Sequence, residues 1–143
     1  MKDTELAYIA GLFDGEGCVS YKQYMRKRDR NKRAYPTWQI RLEISMTDKP
    51  ALQNVCDVLG VGTVTPKRYR TKKAQSWKKQ WRWRCSHREA YFVCMALYPY
   101  AHIKIDKLQK IIDHYSKKDN KVFNGRVVNL NEYKEAMHAE WQT

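Results

Sequence analysis

Two carboxylates and two basic stretches hold most of the chemistry this sequence offers. In residues 9–17, IAGLFDGEG, Asp14 and Glu16 stand two apart beside glycines, at the close of a helical pattern. Carboxylate oxygens suit a hard divalent ion such as magnesium, which takes oxygen ligands and keeps several waters. An acid in such a place can equally brace a helix junction or stand in solvent, and the spacing leaves these readings open. The basic residues are segregated. Residues 22–41 hold Lys22, Arg26, Lys27, Arg28, Arg30, Lys32, Arg33 and Arg41 against Asp29 alone, and residues 67–88 add ten more with no acid. A solvated charged face normally mixes signs, so this distribution points to a nucleic acid.

The bulk numbers agree. The chain of 143 residues carries 28 Lys plus Arg against 15 Asp plus Glu, a formal charge of +13, which implies a polyanionic partner. Its length suits one folding unit with its own core. No run of about 18 apolar residues is present to span a bilayer, and an N-terminus containing Asp3 and Glu5 is not expected to be a secretory signal. Cys18, Cys56, Cys85 and Cys94 form no CxxC pair. Buried free thiols in a reducing, intracellular compartment are expected, whether cytoplasm or organelle.

The elements that must position these groups follow from periodicity. Leu6, Ile9, Ala10 and Phe13 recur at helical spacing, with Asp3 or Thr4 placed to cap, and predict a helix over about residues 4–15. Its other side carries Ala7, Gly11 and Gly15 at four-residue intervals, a stripe where two helices can meet backbone to backbone. From Cys18 the period becomes two. Ser20, Lys22, Tyr24 and Arg26 make a wet basic face, and Val19, Tyr21, Gln23 and Met25 a mostly apolar one. After a polar turn, Ile40, Leu42, Ile44 and Met46 alternate with Gln39, Arg41, Glu43 and Ser45, completing a long hairpin.

Asp48 and Pro50 open a helix that Gly60 ends. A strand over about Thr63–Arg70 and another containing Trp81, Trp83 and Cys85 come next; Trp81 and Trp83 fit a core better than base stacking. Ser86 with Glu89 reads as a capping box for a helix ending at Pro99, and Ile105, Leu108, Ile112 and Tyr115 mark a further one. From Lys117 the chain reads as a loop, then a short helix around Tyr133, Met137 and Trp141. The expected fold class is α+β, a four-stranded antiparallel sheet with helices on one face. Residues 1–118 form the domain and 119–143 a C-terminal extension.

Residues 9–17 resemble the LAGLIDADG motif. The resemblance extends through Ile40–Val64 and Leu97–Gln109 and covers most of residues 4–118. It implies an αββαββα fold, a homodimer packed through Ala7, Gly11 and Gly15, and a homing endonuclease making a metal-dependent staggered cut in a long, near-palindromic duplex. It further implies that the Glu16 carboxylate and the Gly15 carbonyl hold Mg2+ or another divalent ion, where aspartate is commoner than Glu16 in the family. Lys104 then matches a basic residue near the metal, against the reading of a solvated helix charge. Asp48 matches a position in the metal and water network, against a plain N-cap.

The sheet would read DNA. Ser20, Lys22, Tyr24, Arg26, Gln39, Arg41, Glu43, Thr65, Lys67, Arg82 and Arg84 are the residues expected on its open face. Three alternatives stay open: an intron maturase binding RNA, a non-cleaving DNA-binding regulator of the same fold, and a basic ribosomal or architectural protein.

Overall fold

The computed structural model of the protein describes residues 1–68, 71 and 78–119. Helix α1 (Asp3–Glu16) runs directly into strand β1 (Gly17–Arg26), which returns as β2 (Tyr35–Met46). Helix α2 (Lys49–Leu59), strands β3 (Thr63–Pro66) and β4 (Trp81–Ser86), and helices α3 (Arg88–Leu97) and α4 (Ile105–Asp119) follow, with a 3-10 turn at Tyr98–Tyr100. The sheet is antiparallel throughout, in the spatial order β1-β2-β4-β3. This is the expected α+β arrangement.

Strand register decides which face each residue takes. Leu42 lies between Val19 and Cys85, and Ile44 opposite Trp83, which faces Val64. Ile40, Leu42, Ile44, Trp83 and Cys85 are buried on this one face, and the helices cover it. Leu6, Ile9 and Phe13 of α1, Leu52 and Val55 of α2, Val93 and Leu97 of α3, and Leu108, Ile111 and Ile112 of α4 complete a single core. Each such side chain contributes roughly 1.5–3 kcal/mol by leaving water. Trp83 is fully buried and its Nε1 donates to the Val61 carbonyl at 3.1 Å. Trp81 is half-buried at the start of β4, with Lys49 and Lys79 ammoniums 4.3 and 4.5 Å from its ring centroid.

Several element ends depart from expectation. The N-cap of α1 is Lys2, whose backbone N–H donates to Glu5 at 3.3 Å. Asp3 lies inside the first turn, where it accepts the Tyr100 hydroxyl at 2.9 Å. Ser86 does not cap α3: β4 runs through it to pair with Arg41, and His87, at φ +55°, takes the cap position without a side-chain bond. Strand β3 stops at Pro66, which has no N–H for a ladder, and residues 69–70 fall outside the described part. Helix α4 continues past Lys117 to Asp119. The proposed short terminal helix lies outside the described residues. Helix α2 behaves as read: Asp48 Oδ1 accepts from the Ala51 N–H at 3.2 Å, Pro50 sits in the first turn, and Gly60 closes the helix at φ +70°.

The hairpin outruns its support. Val19 and Tyr21 are half-buried, but Lys22 to Arg26 are all exposed, and Met25 is 64% exposed. The expected apolar face therefore ends at Tyr21. There the Tyr21 ring stacks on Trp38 at 4.8 Å, and its hydroxyl lies 3.2 Å from His114 Nδ1 on α4. Among the described residues the helix layer stops at this contact, and both Gln23 and Met25 are exposed.

Candidate metal and nucleic-acid site

The corner between α1 and β1 sets the position of Glu16. A Cβ on Gly17 would run into the Phe13 ring and carbonyl, so only glycine lets the helix pass into the strand here without displacing Phe13. Glu16 stands at this corner, exposed, and its carboxylate has no hydrogen bond or ion pair among the described residues.

Asp14, two residues earlier, is the opposite. It is 8% exposed, and its carboxylate accepts the backbone N–H of His102 at 2.8 Å and of Lys104 at 3.0 Å. Burial pushes its carboxyl up, but the N–H donors of residues 102–104 and the Lys104 charge outweigh this and hold it below the ordinary aspartate range. With both oxygens engaged, Asp14 braces the segment before α4 against the motif helix. Lys104 is no solvated helix charge: its Nζ donates to the Asp14 carbonyl at 2.6 Å. The ammonium thus satisfies one of the carbonyls left free at a helix C-terminus, where positive charge is favourable. The Phe13 carbonyl is taken by the Gly17 N–H, and no described bond takes that of Gly15.

Asp48 leaves the sheet at the same end, four residues past Ile44, the partner of Gly17. It is exposed and acts as the N-cap of α2. Among the described residues no three His, Cys, Asp or Glu side chains come together. One chain therefore offers a divalent ion the Glu16 carboxylate and the Gly15 carbonyl, the right donors in type but too few to complete a hexacoordinate shell. Water and phosphate oxygens are the complement such a donor set needs.

The face of the sheet away from the helices carries the expected polar residues. Its cross-strand rows read Ser20–Arg41–Ser86, Lys22–Gln39, Tyr24–Thr37, Arg26–Tyr35, Cys18–Glu43–Arg84–Thr63 and Ser45–Arg82–Thr65. Lys67, past the end of β3, donates its N–H to the Gln80 carbonyl at 2.9 Å and keeps the parity of Thr65. All eleven sheet residues named from sequence share this face. Cys18, Tyr35, Thr37, Ser45, Thr63 and Ser86 belong to it too; counting in twos along each strand from Ser20, Glu43, Thr65 and Arg84 reaches them.

Glu43 is the one acid in these rows. Its Oε2 accepts from Arg84 Nη2 at 2.9 Å and Nε at 3.1 Å; its Oε1 accepts from Ser45 Oγ at 3.4 Å and lies 3.9 Å from Arg82 Nη1. The Nε atoms of Arg41 and Arg82 are buried without an acceptor.

Ala7, Gly11 and Gly15 are exposed on α1, and a Cβ placed on either glycine would meet nothing within 4 Å. Of the cysteines, Cys85 and Cys94 are buried, and burial pushes the Cys85 thiol up to about 12. Cys56 is half-buried and Cys18 exposed, contrary to the expectation of four buried thiols, because Cys18 falls on the open face of the sheet.

The family model of the LAGLIDADG endonuclease matches residues 9–137. No curated protein matches by sequence. Among solved structures, the homing endonuclease I-CvuI in complex with the I-CreI target superposes with a TM-score of 0.58 at 16% identity, covering 98% of this chain and 96% of that one. The homing endonuclease I-TnaI gives 0.57 at 14%, over 95% and 97% of the two chains. The archaeal intron-encoded homing endonuclease I-Vdi141I complexed with DNA gives 0.53 at 14%, over 99% of each. At these identities the likeness is one of fold, and it extends over essentially the whole of each chain.

Proposed function

The chain belongs to the LAGLIDADG endonuclease family, and on that premise we propose that it is a site-specific homing endonuclease. It acts as a homodimer and makes a staggered double-strand break in a long, near-palindromic DNA site. The observation that carries this reading is the unpartnered Glu16 carboxylate, held at the corner where the motif helix meets a sheet whose open face bears Lys22, Arg26, Arg41, Lys67, Arg82 and Arg84. The sheet holds the duplex, with the lysines mainly on phosphates and the arginines and Gln39 on base edges.

One motif copy supplies one such carboxylate, so cutting two strands calls for a second subunit. The bare stripe of Ala7, Gly11 and Gly15 gives that subunit's α1 a surface for close approach. Glu16 and the Gly15 carbonyl would hold a divalent ion, which when bound would polarise the scissile phosphate and activate water. Lys104 fixes the C-terminal end of the motif helix through the Asp14 carbonyl, and Asp48 stands at the same end of the sheet as a polar group able to order water. Related I-CvuI complexes with DNA were obtained in the presence of 2 mM Mg or 2 mM Ca, which supports the choice of ion.

The test is to incubate the purified chain and magnesium with the host sequence as it reads without the insertion. A staggered cut is expected. Tight binding without a cut would replace this reading with that of a non-cleaving DNA-binding regulator.

A further inference from the structure

A carboxylate in the middle of a DNA-binding face is out of place on electrostatic grounds, since it repels the phosphates that its neighbours attract. Glu43 occupies that position, in the central strand β2, between Cys18 of β1 and Arg84 of β4. It is only partly accessible, its side chain 21% exposed beside those of Arg82 at 26% and Arg84 at 29%. What it does there is legible in its contacts. Both Nε and Nη2 of Arg84 donate to its Oε2, while Ser45 Oγ fixes the other oxygen from the same strand. Arg82, one row further along, approaches that second oxygen.

Resting on the DNA-binding reading above, we propose that Glu43 is a positioning residue for base recognition: its carboxylate holds the Arg84 guanidinium, with Arg82 beside it, as a fixed donor fork for guanine in the major groove. A free arginine is a flexible cation that any phosphate can satisfy. An arginine whose rotamer is already fixed gives up less freedom on binding, and its remaining N–H groups point one way. The guanine edge, with O6 and N7 both accepting, is the partner of matching geometry.

Around the cluster donors outnumber acceptors, because the Nε–H groups of Arg82 and of Arg41, one row away on the same face, are buried with nothing to accept from them. An acceptor-rich ligand fits that imbalance.

Position along the sheet makes the proposal specific. The Glu43 row lies opposite Cys18, two residues past Glu16, or about 7 Å along a strand at ~3.3 Å per residue. Arg26 lies roughly 33 Å away by the same measure. The guanine therefore belongs to the inner base pairs of each half-site, close to the scissile phosphates, and not to its outer end.

The test selects bound duplexes from a randomised library with the full chain, chelator being present so that DNA is bound and not cut. The wild-type chain is expected to enrich guanine at an inner position of each half-site. Glu43→Gln preserves shape and the Ser45 contact but not the charge. It should bind an arbitrary duplex a few-fold more tightly, while its preference for that guanine falls about tenfold. Arg84→Lys keeps the charge without the fork and should lose the same guanine.

A salt bridge that only stabilised the fold would shift the melting of Glu43→Gln and leave base preference alone. An unchanged preference in Glu43→Gln, or in Arg84→Lys, therefore overturns the proposal while leaving the endonuclease reading intact. If the wild-type chain enriches no sequence at all, sequence-specific DNA binding fails and the role of Glu43 fails with it.

Discussion

The β1–β2 hairpin has two ends of opposite character. At the motif end, Gly17 lies against Phe13, Asp14 receives two backbone N–H groups from the segment before α4, and Lys104 ties the helix terminus down. At the tip, Lys22 to Arg26 stand in solvent on both faces. The ladder of hydrogen bonds is continuous between them, so the difference comes from what lies beneath the sheet. Chemistry on a phosphodiester needs groups held to a fraction of an ångström, and the molecule spends its packing where Glu16 sits. Meeting the contour of a duplex needs accessible charge, and the tip has it.

The division is open to attack at several points. The largest effect is expected from Glu16→Gln, which should lower DNA cleavage by about a thousandfold or more, with duplex affinity within a few-fold of the wild type. Comparable cutting by this variant would remove the reason for treating the motif end as the chemical one. Asp14→Ala should come next, depriving the part-buried N–H groups of residues 102 and 104 of their carboxylate acceptor at a cost of about 1–3 kcal/mol in denaturant unfolding.

The same carboxylate has a pH signature. Its pKa is lowered in the folded state, so its contribution is complete above the ordinary aspartate value near ~3.9 and is lost as pH falls through the lowered one. The wild type should therefore lose stability on acidification into that window by more than Asp14→Asn does. Equal acid sensitivity would mean that the bonds to residues 102 and 104 contribute little.

Gly11→Leu probes the support from outside the chain. A bulky side chain on the bare face of α1 should prevent a close helix crossing, and sedimentation should then report a single subunit where the wild type reports two. At the tip, Arg26→Ala should leave unfolding within about 0.5 kcal/mol, weaken DNA binding a few-fold, and reduce the salt slope by about one unit. Smallest of all, Met25→Ala should change stability by less than about 0.5 kcal/mol. A large loss there would show that the tip is packed after all.

Sequence periodicity reached the sheet almost entirely. Alternation in Gln39–Met46 and Gln80–Cys85 fixed parity, and parity alone put Arg41, Glu43, Arg82 and Arg84 on one face. The motif and its glycines located the helix-strand corner. Periodicity is silent about where a supporting layer ends, which is why Gln23 and Met25 read as core-facing when no described helix reaches them. It is equally silent about contacts far apart in the chain. The bond from Lys104 to the Asp14 carbonyl spans 90 residues; periodicity does not separate Lys104 from Lys107 or Lys110, and only the family resemblance singled it out. Ser86 failed as a cap because strand pairing to Arg41 outweighed a local side-chain preference.

That same Lys104 contact has a consequence for how the protein is made. The motif helix leaves the ribosome well ahead of the residues that brace Asp14 and close the helix end, since His102 and Lys104 emerge nearly ninety residues later. Until they do, the carboxylate meant for a buried socket has no donors to receive it. A nascent chain can thus display its basic hairpin well before the corner that carries Glu16 is locked, so DNA can be grasped by an incomplete protein but not yet presented to a finished site.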